Sequence, residues 1–119
     1  MRNEEFKALE YATRQLEIEW ERTGETKHVI KMEADQVRNL LVAIQKEITM
    51  REEVHGMLIR LSYPEFIGIS HENYILLRLC KKVLKAYEQI SRKKAKHGKV
   101  NLDKEEIRVM KKLLENKEC

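Results

Sequence analysis

The sequence predicts an all-α fold: a four-helix antiparallel bundle with short extended segments ahead of helices two, three and four. Three observations carry this expectation. Charged residues make up 37% of the 119, aromatics only 6%, and there is one Pro with four Gly, a composition that suits long exposed helices. The 42% of apolar residues recur at helical spacing, so the chain is too apolar and too periodic to be disordered. One short pattern, an apolar–x–apolar couplet followed by a capping position, an acid and an apolar stripe, occurs three times. It is spelled Ile30-Lys31-Met32-Glu33-Ala34-Asp35-Gln36-Val37, then Ile67-Gly68-Ile69-Ser70-His71-Glu72-Asn73-Tyr74, then Val100-Asn101-Leu102-Asp103-Lys104-Glu105-Glu106-Ile107.

The first helix is expected over 3–23, ending at Gly24, the residue type favoured just past a helix C-terminus. Phe6, Leu9, Thr13, Leu16 and Trp20 follow alternating steps of 3 and 4, a narrow seam of coiled-coil type. The second is expected over 34–61, carrying Val37, Leu40, Leu41, Ile44, Ile48 and then Val54, Met57, Leu58 and Leu61. Gly56 makes a bend plausible there, and Pro64 limits its length. The third is expected over 71–94 and the fourth over 104–116, separated by Gly98. Ser70 and Asp103 are good N-cap residues and Glu33 a poorer one. Gln36 and Glu106, three residues beyond the caps at Glu33 and Asp103, are placed to complete reciprocal capping boxes. The couplets either pair as a small sheet or, more simply, act as hydrophobic staples on the first turns. The repeat spacing resembles that of helical solenoids, but those units carry two helices and these carry one, so convergent helix-start chemistry is the better reading.

A chain of this length is expected to form one domain, residues 1–119. Two cysteines, Cys80 and Cys119, make no disulfide framework, which points to a reduced compartment. Met1 to Phe6 lack the apolar core of a signal peptide, and no apolar run reaches the roughly 18 residues of a membrane span. The expectation is a soluble cytoplasmic protein with no membrane partner.

Charge is distributed unevenly. Residues 1–27 carry five Lys/Arg against seven acids, residues 28–90 nine against eight, and residues 91–119 ten against five. From Lys81 to Lys99 there are eight Lys/Arg and one acid, Glu88. Arg78, Lys82, Lys85, Gln89, Arg92 and Lys96 fall on one side of the third helix, and Lys93 and Lys94 extend that face toward the following loop. One or two cations near a helix C-terminus complement its dipole, but eight with almost no acid between them exceed that need. The anion-binding set expected from sequence is therefore Arg78, Lys82, Lys85, Arg92, Lys93, Lys94 and Lys96, directed at a nucleic acid, a nucleotide or an acidic protein surface. No aromatic interleaves with the lysines apart from Tyr87 on the apolar side, so backbone-directed contact is favoured over base stacking.

Catalytic and metal chemistry have weaker support. Arg92-Lys93-Lys94-Ala95-Lys96-His97 resembles the short arginine–histidine motif of the HEPN family, all-α bundles that include metal-independent ribonucleases. The resemblance implies that Arg92 stabilises phosphate charge and that His97 moves a proton. Lys93 stands where that family favours a polar residue. Glu52-Glu53-Val54-His55 holds one Glu-x-x-His, whereas a di-iron bundle needs two with further carboxylates. No Cys-x-x-Cys or glycine-rich phosphate loop occurs, and Ser62, Ser70 and Ser91 sit at helix ends, so neither a metal, a cofactor nor a nucleophile is expected.

The first helix offers a second surface. Phe6, Leu9, Leu16 and Trp20 on its seam, with Tyr11 and Ile18 off it, suggest self-association or capture of a protein partner. The reading from sequence is a non-catalytic, self-associating binding or regulatory module. Its alternatives are an inhibitor of the bacterial or phage accessory type acting through the first helix, and a HEPN-like ribonuclease.

Overall fold

A computed structural model describes the backbone of residues 3–55 and 67–118 and the side chains of residues 3–53 and 71–115. The elements run α1 (Glu4–Thr23), β1 (His28–Glu33), α2 (Ala34–His55), α3 (Ile67–Lys93), β2 (His97–Leu102) and α4 (Lys104–Glu118). The protein is mostly helical, with four helices and one two-stranded sheet among the described residues.

Both ends of α1 follow from its sequence. The Asn3 side chain accepts the Phe6 N–H at 2.8 Å, and Gly24, at φ 77°, donates its N–H to the Trp20 carbonyl at 2.7 Å. Asp103 and Glu106 form the full capping box at α4: the Glu106 N–H donates to Asp103 Oδ1 and the Asp103 N–H to Glu106 Oε1, each at 3.0 Å. At α2 only half of the box forms, with the Glu33 N–H donating to Gln36 Oε1 at 2.9 Å. The Ala34 N–H instead finds the Lys96 carbonyl across the sheet at 2.8 Å.

Two of the three couplets pair with each other and the third does not. β1 and β2 run antiparallel, with Ile30 opposite Val100 and Lys31 opposite Lys99. The staple reading is thus replaced by a sheet at α2 and α4. The couplet at α3 is not extended: Ile67, Gly68 and Ile69 already lie in the helix, so Ser70 is not its N-cap. A window of three residues cannot separate a period of 2 from one of 3.6, which is why the couplet misled. α3 ends at Lys93, one residue before the expected end, and α4 runs two residues past Asn116. The expected end of the second helix at residue 61, the bend at Gly56 and the stop at Pro64 lie outside the described residues.

Ile30, Met32, Val100 and Leu102 point inward from the sheet onto a core of Leu9, Leu16, Leu40, Ile44, Leu76, Leu79, Ile107 and Met110. The helices touch in the order α1–α2, α2–α3, α3–α4 and α4–α1, and the sheet rests on α3, α1 and α2. Gly98 lies where β2 meets α3. A Cβ there would collide with Ile90 Cδ1 and sit 2.9 Å from Cγ1 of the same side chain. Gly98→Ala is therefore expected to cost about 1–2 kcal/mol, with the flexible isoleucine tip yielding rather than backbone. A urea midpoint unchanged from wild type would show that β2 does not sit this close.

Candidate anion-binding interface

The basic face read along α3 divides into two parts. Arg78 and Lys82 are engaged by acids of the β2–α4 junction. Lys82 Nζ donates to Glu106 Oε1 at 2.8 Å, Arg78 Nε to Glu106 Oε2 at 3.4 Å, and Arg78 Nη2 to Asp103 Oδ2 at 2.9 Å. Glu106 is fully buried, so its two cations neutralise a charge already removed from water. They lock α3 to α4 and are withdrawn from the set expected to meet an external anion.

The remaining cations of that set, Lys85, Arg92, Lys93, Lys94 and Lys96, are exposed and make no ion pair with any described residue. Four of them fall within five residues, Arg92 and Lys93 in the last turn of α3 and Lys94 and Lys96 just past it. Lys94 adopts the left-handed conformation at φ 50°, and the Ala95 N–H returns to the Ile90 carbonyl at 3.1 Å, closing the helix where glycine is usual. A lysine at such a position is strained, a local cost with no packing gain beside it.

Strand pairing adds Lys31 and Lys99, neither of which belongs to the set expected from sequence. Ala34 and Lys96 are hydrogen-bonded across the sheet, so, two by two, Met32–Gly98 and Ile30–Val100 are the hydrogen-bonded pairs. Lys31 and Lys99 therefore form a non-hydrogen-bonded pair, the kind whose side chains stand closest, and both are on the exposed face. Like charges directly opposite are destabilising there. Neither lysine has an acidic partner among the described residues. Glu33 faces His97 one pair further on. The alternation of exposed His97, Lys99 and Asn101 with inward Val100 and Leu102 was the available signal for this face.

Arg92 and His97 are both exposed, one in the last turn of α3 and the other opening β2, and no contact joins them. The seam of α1 is largely consumed internally: Phe6, Leu9 and Leu16 lie in the core of the chain itself. Only Trp20 reaches the surface, where Lys104 Nζ stands 5.7 Å from its ring centroid. The Tyr11 hydroxyl donates to the Lys31 carbonyl at 3.2 Å. Of the partner interface expected at Phe6, Leu9, Leu16 and Trp20, the first three side chains are thus buried within the chain itself and Trp20 alone stays partly accessible.

A polar knot joins α2, α3 and α4 on another side. Arg51 donates to Glu47 at 3.0 Å and to buried Asn73 and Glu72 at 2.7 Å each, and Lys112 donates to Glu72 at 2.8 Å. Burial opposes the Arg51 charge, but Glu72 and Glu47 more than offset this and hold its pKa above the ordinary value. Burial likewise works to raise Glu72, while hydrogen bonds from Lys112 and Arg51 bring it below its ordinary 4.5. A carboxylate depressed in the folded state contributes stability that is complete above its unfolded pKa and is lost as pH falls through the folded value. Stability is therefore expected to decline below about pH 4.5. Glu72→Gln should lower stability at neutral pH and flatten that acid limb in Trp20 fluorescence. An acid limb identical to wild type would contradict the assignment.

Burial pushes the Cys80 thiol up, away from nucleophilic use. Among the described residues no three His, Cys, Asp or Glu side chains converge as a metal site, and no helix is long and apolar enough to cross a membrane. The Glu52 to His55 motif lies at the end of α2, with the His55 side chain outside the described residues. Comparison of the chain with family models, curated proteins and solved structures gives no match.

Proposed function

We propose that the protein is a non-catalytic binding module that holds the phosphate backbone of a nucleic acid against the end of α3 and the open face of the sheet. The observation that carries this reading is the set of exposed cations without ion-pair partners among the described residues: Arg92, Lys93, Lys94 and Lys96 at and just past the end of α3, and Lys31 opposite Lys99 on the open face of the sheet. Their mutual repulsion disfavours the free state, and a row of phosphates would relieve it while releasing counterions. The only Phe, Trp or Tyr between Lys81 and Lys99 is Tyr87, on the apolar side of α3, so contact would position the nucleic acid rather than read its sequence. The closed circuit of helix contacts and the short α1–β1 and β2–α4 connections favour a single antiparallel four-helix bundle as the supporting frame.

The exposed, separated positions of Arg92 and His97 favour binding over cleavage. Titration of two fluorescent duplexes of unrelated sequence, read by anisotropy, tests the proposal. Both should bind within about threefold of each other, and an RNA strand should emerge uncut. Absence of binding, or cleavage that disappears on His97→Ala, would overturn it.

A further inference from the structure

The open face of the sheet consists of three cross-strand pairs, Val29–Asn101, Lys31–Lys99 and Glu33–His97, and all six residues are exposed. Each is a non-hydrogen-bonded pair, the kind that brings side chains closest. Glu33 is the single acid among the six. Its backbone N–H is taken by Gln36 Oε1, while its carboxylate has no ion-pair partner among the described residues. His97, the residue opposite, is the only one of the six whose charge changes near neutral pH.

The other charges around His97 are mostly cationic. Lys96 and Lys99 lie along β2, Lys31 sits one pair further along β1, and Arg92, Lys93 and Lys94 come just before the strand. At the start of α2, Asp35 and Arg38 pair with each other at 3.6 Å. His28 lies by register on the opposite face of the sheet, its ring held by the Glu25 carbonyl at 2.7 Å. With His97 neutral, the Glu33 carboxylate opposes the phosphates that the lysines attract. With His97 protonated, a cation faces that carboxylate and offsets it. We propose, on the basis of the phosphate-binding reading, that Glu33 and His97 make this face acid-activated. A bound row of phosphates favours the imidazolium, so by linkage a lower pH tightens the duplex. The carboxylate holds affinity down until the proton arrives.

Duplex anisotropy on the full chain, at constant ionic strength and at about pH 8 and about pH 5.5, tests the proposal. The wild-type chain should bind about fivefold tighter at the lower pH, the scale of one charge gained at a phosphate-binding face. His97→Gln should keep the affinity seen at the higher pH and lose the gain. His97→Lys should bind at the higher pH as the wild type does at the lower, an effect that unfolding cannot produce. Glu33→Gln should tighten binding at the higher pH, because it removes the opposing charge. A duplex affinity equal at both pH values, or a gain that survives His97→Gln, would overturn the acid activation and leave phosphate binding standing. Absence of duplex binding at either pH would overturn both.

Discussion

Glu106→Ala is expected to destabilise the protein by about 3 kcal/mol, the scale of removing one member of a buried, hydrogen-bonded charge cluster. Glu106 is wholly inaccessible and accepts from Lys82, from Arg78 and from the Asp103 N–H, so three donors lose their acceptor at once. The loss falls toward the low end of the usual range because the Lys82 and Arg78 side chains retain 27% and 30% exposure and can turn to water. For a domain of this size that corresponds to a melting temperature lower by about 10 °C. Glu106→Gln keeps the volume and one acceptor, and should cost less. Denaturation followed through Trp20 measures both, and a Glu106→Ala variant as stable as wild type would contradict the anchoring role. Lys82→Glu belongs to the same mechanism. It sets a second carboxylate against a buried one, so any loss of ligand binding it causes would report unfolding rather than contact.

The second large effect lies on the other half of the basic set. Reversing Arg92, Lys96 and Lys99 together to Glu is expected to lower duplex affinity at least a hundredfold while leaving the fold intact, because these side chains are exposed and have no ion-pair partner among the described residues. Lys99→Glu alone should slightly raise stability, since it places a carboxylate directly opposite Lys31 in the closest kind of cross-strand pair. Lys94→Gly sharpens the separation. It relieves a left-handed lysine and should gain about 0.5–1 kcal/mol while costing affinity. Opposite signs for stability and binding at Lys94 and Lys99 are what a site maintained against local strain would show. Thermal melts and anisotropy on the same preparations check both signs. Parallel losses in the two measurements would mean that these lysines serve the fold.

The helices were legible because their signals are local. Asn3, Gly24 and the Asp103–Glu106 box act within a few residues of the turn they close, and the apolar stripes of α1, α3 and α4 repeat at 3.6. The sheet was legible only as an alternative, since the couplets at Ile30 and Val100 are 70 residues apart and nothing in either names its partner. The third couplet had the same spelling and became helix, a choice made by tertiary context.

The candidate site divides along the same line. Periodicity placed Arg78, Lys82, Lys85 and Arg92 on one side of α3 and carried the same face on to Lys96, which lies past the helix end at Lys93. Whether each meets solvent or a carboxylate depends on where α4 begins, which periodicity does not specify. Glu106 was visible as a capping residue, but its burial between two cations was not. Lys31 entered the site through strand register alone. The seam of α1 shows the converse: Phe6, Leu9 and Leu16 read as an open stripe because the chain's own α2, α4 and β1, which lie against α1, were not yet in place.

The measurement that bears most directly on the central claim is the salt dependence of duplex affinity for the wild-type chain. Four to six phosphate contacts from the unpaired cluster would give a slope of log K against log salt of about −4 to −5. The triple reversal at Arg92, Lys96 and Lys99 should flatten it. A wild-type affinity that stays constant between low and physiological salt would contradict phosphate binding by these residues.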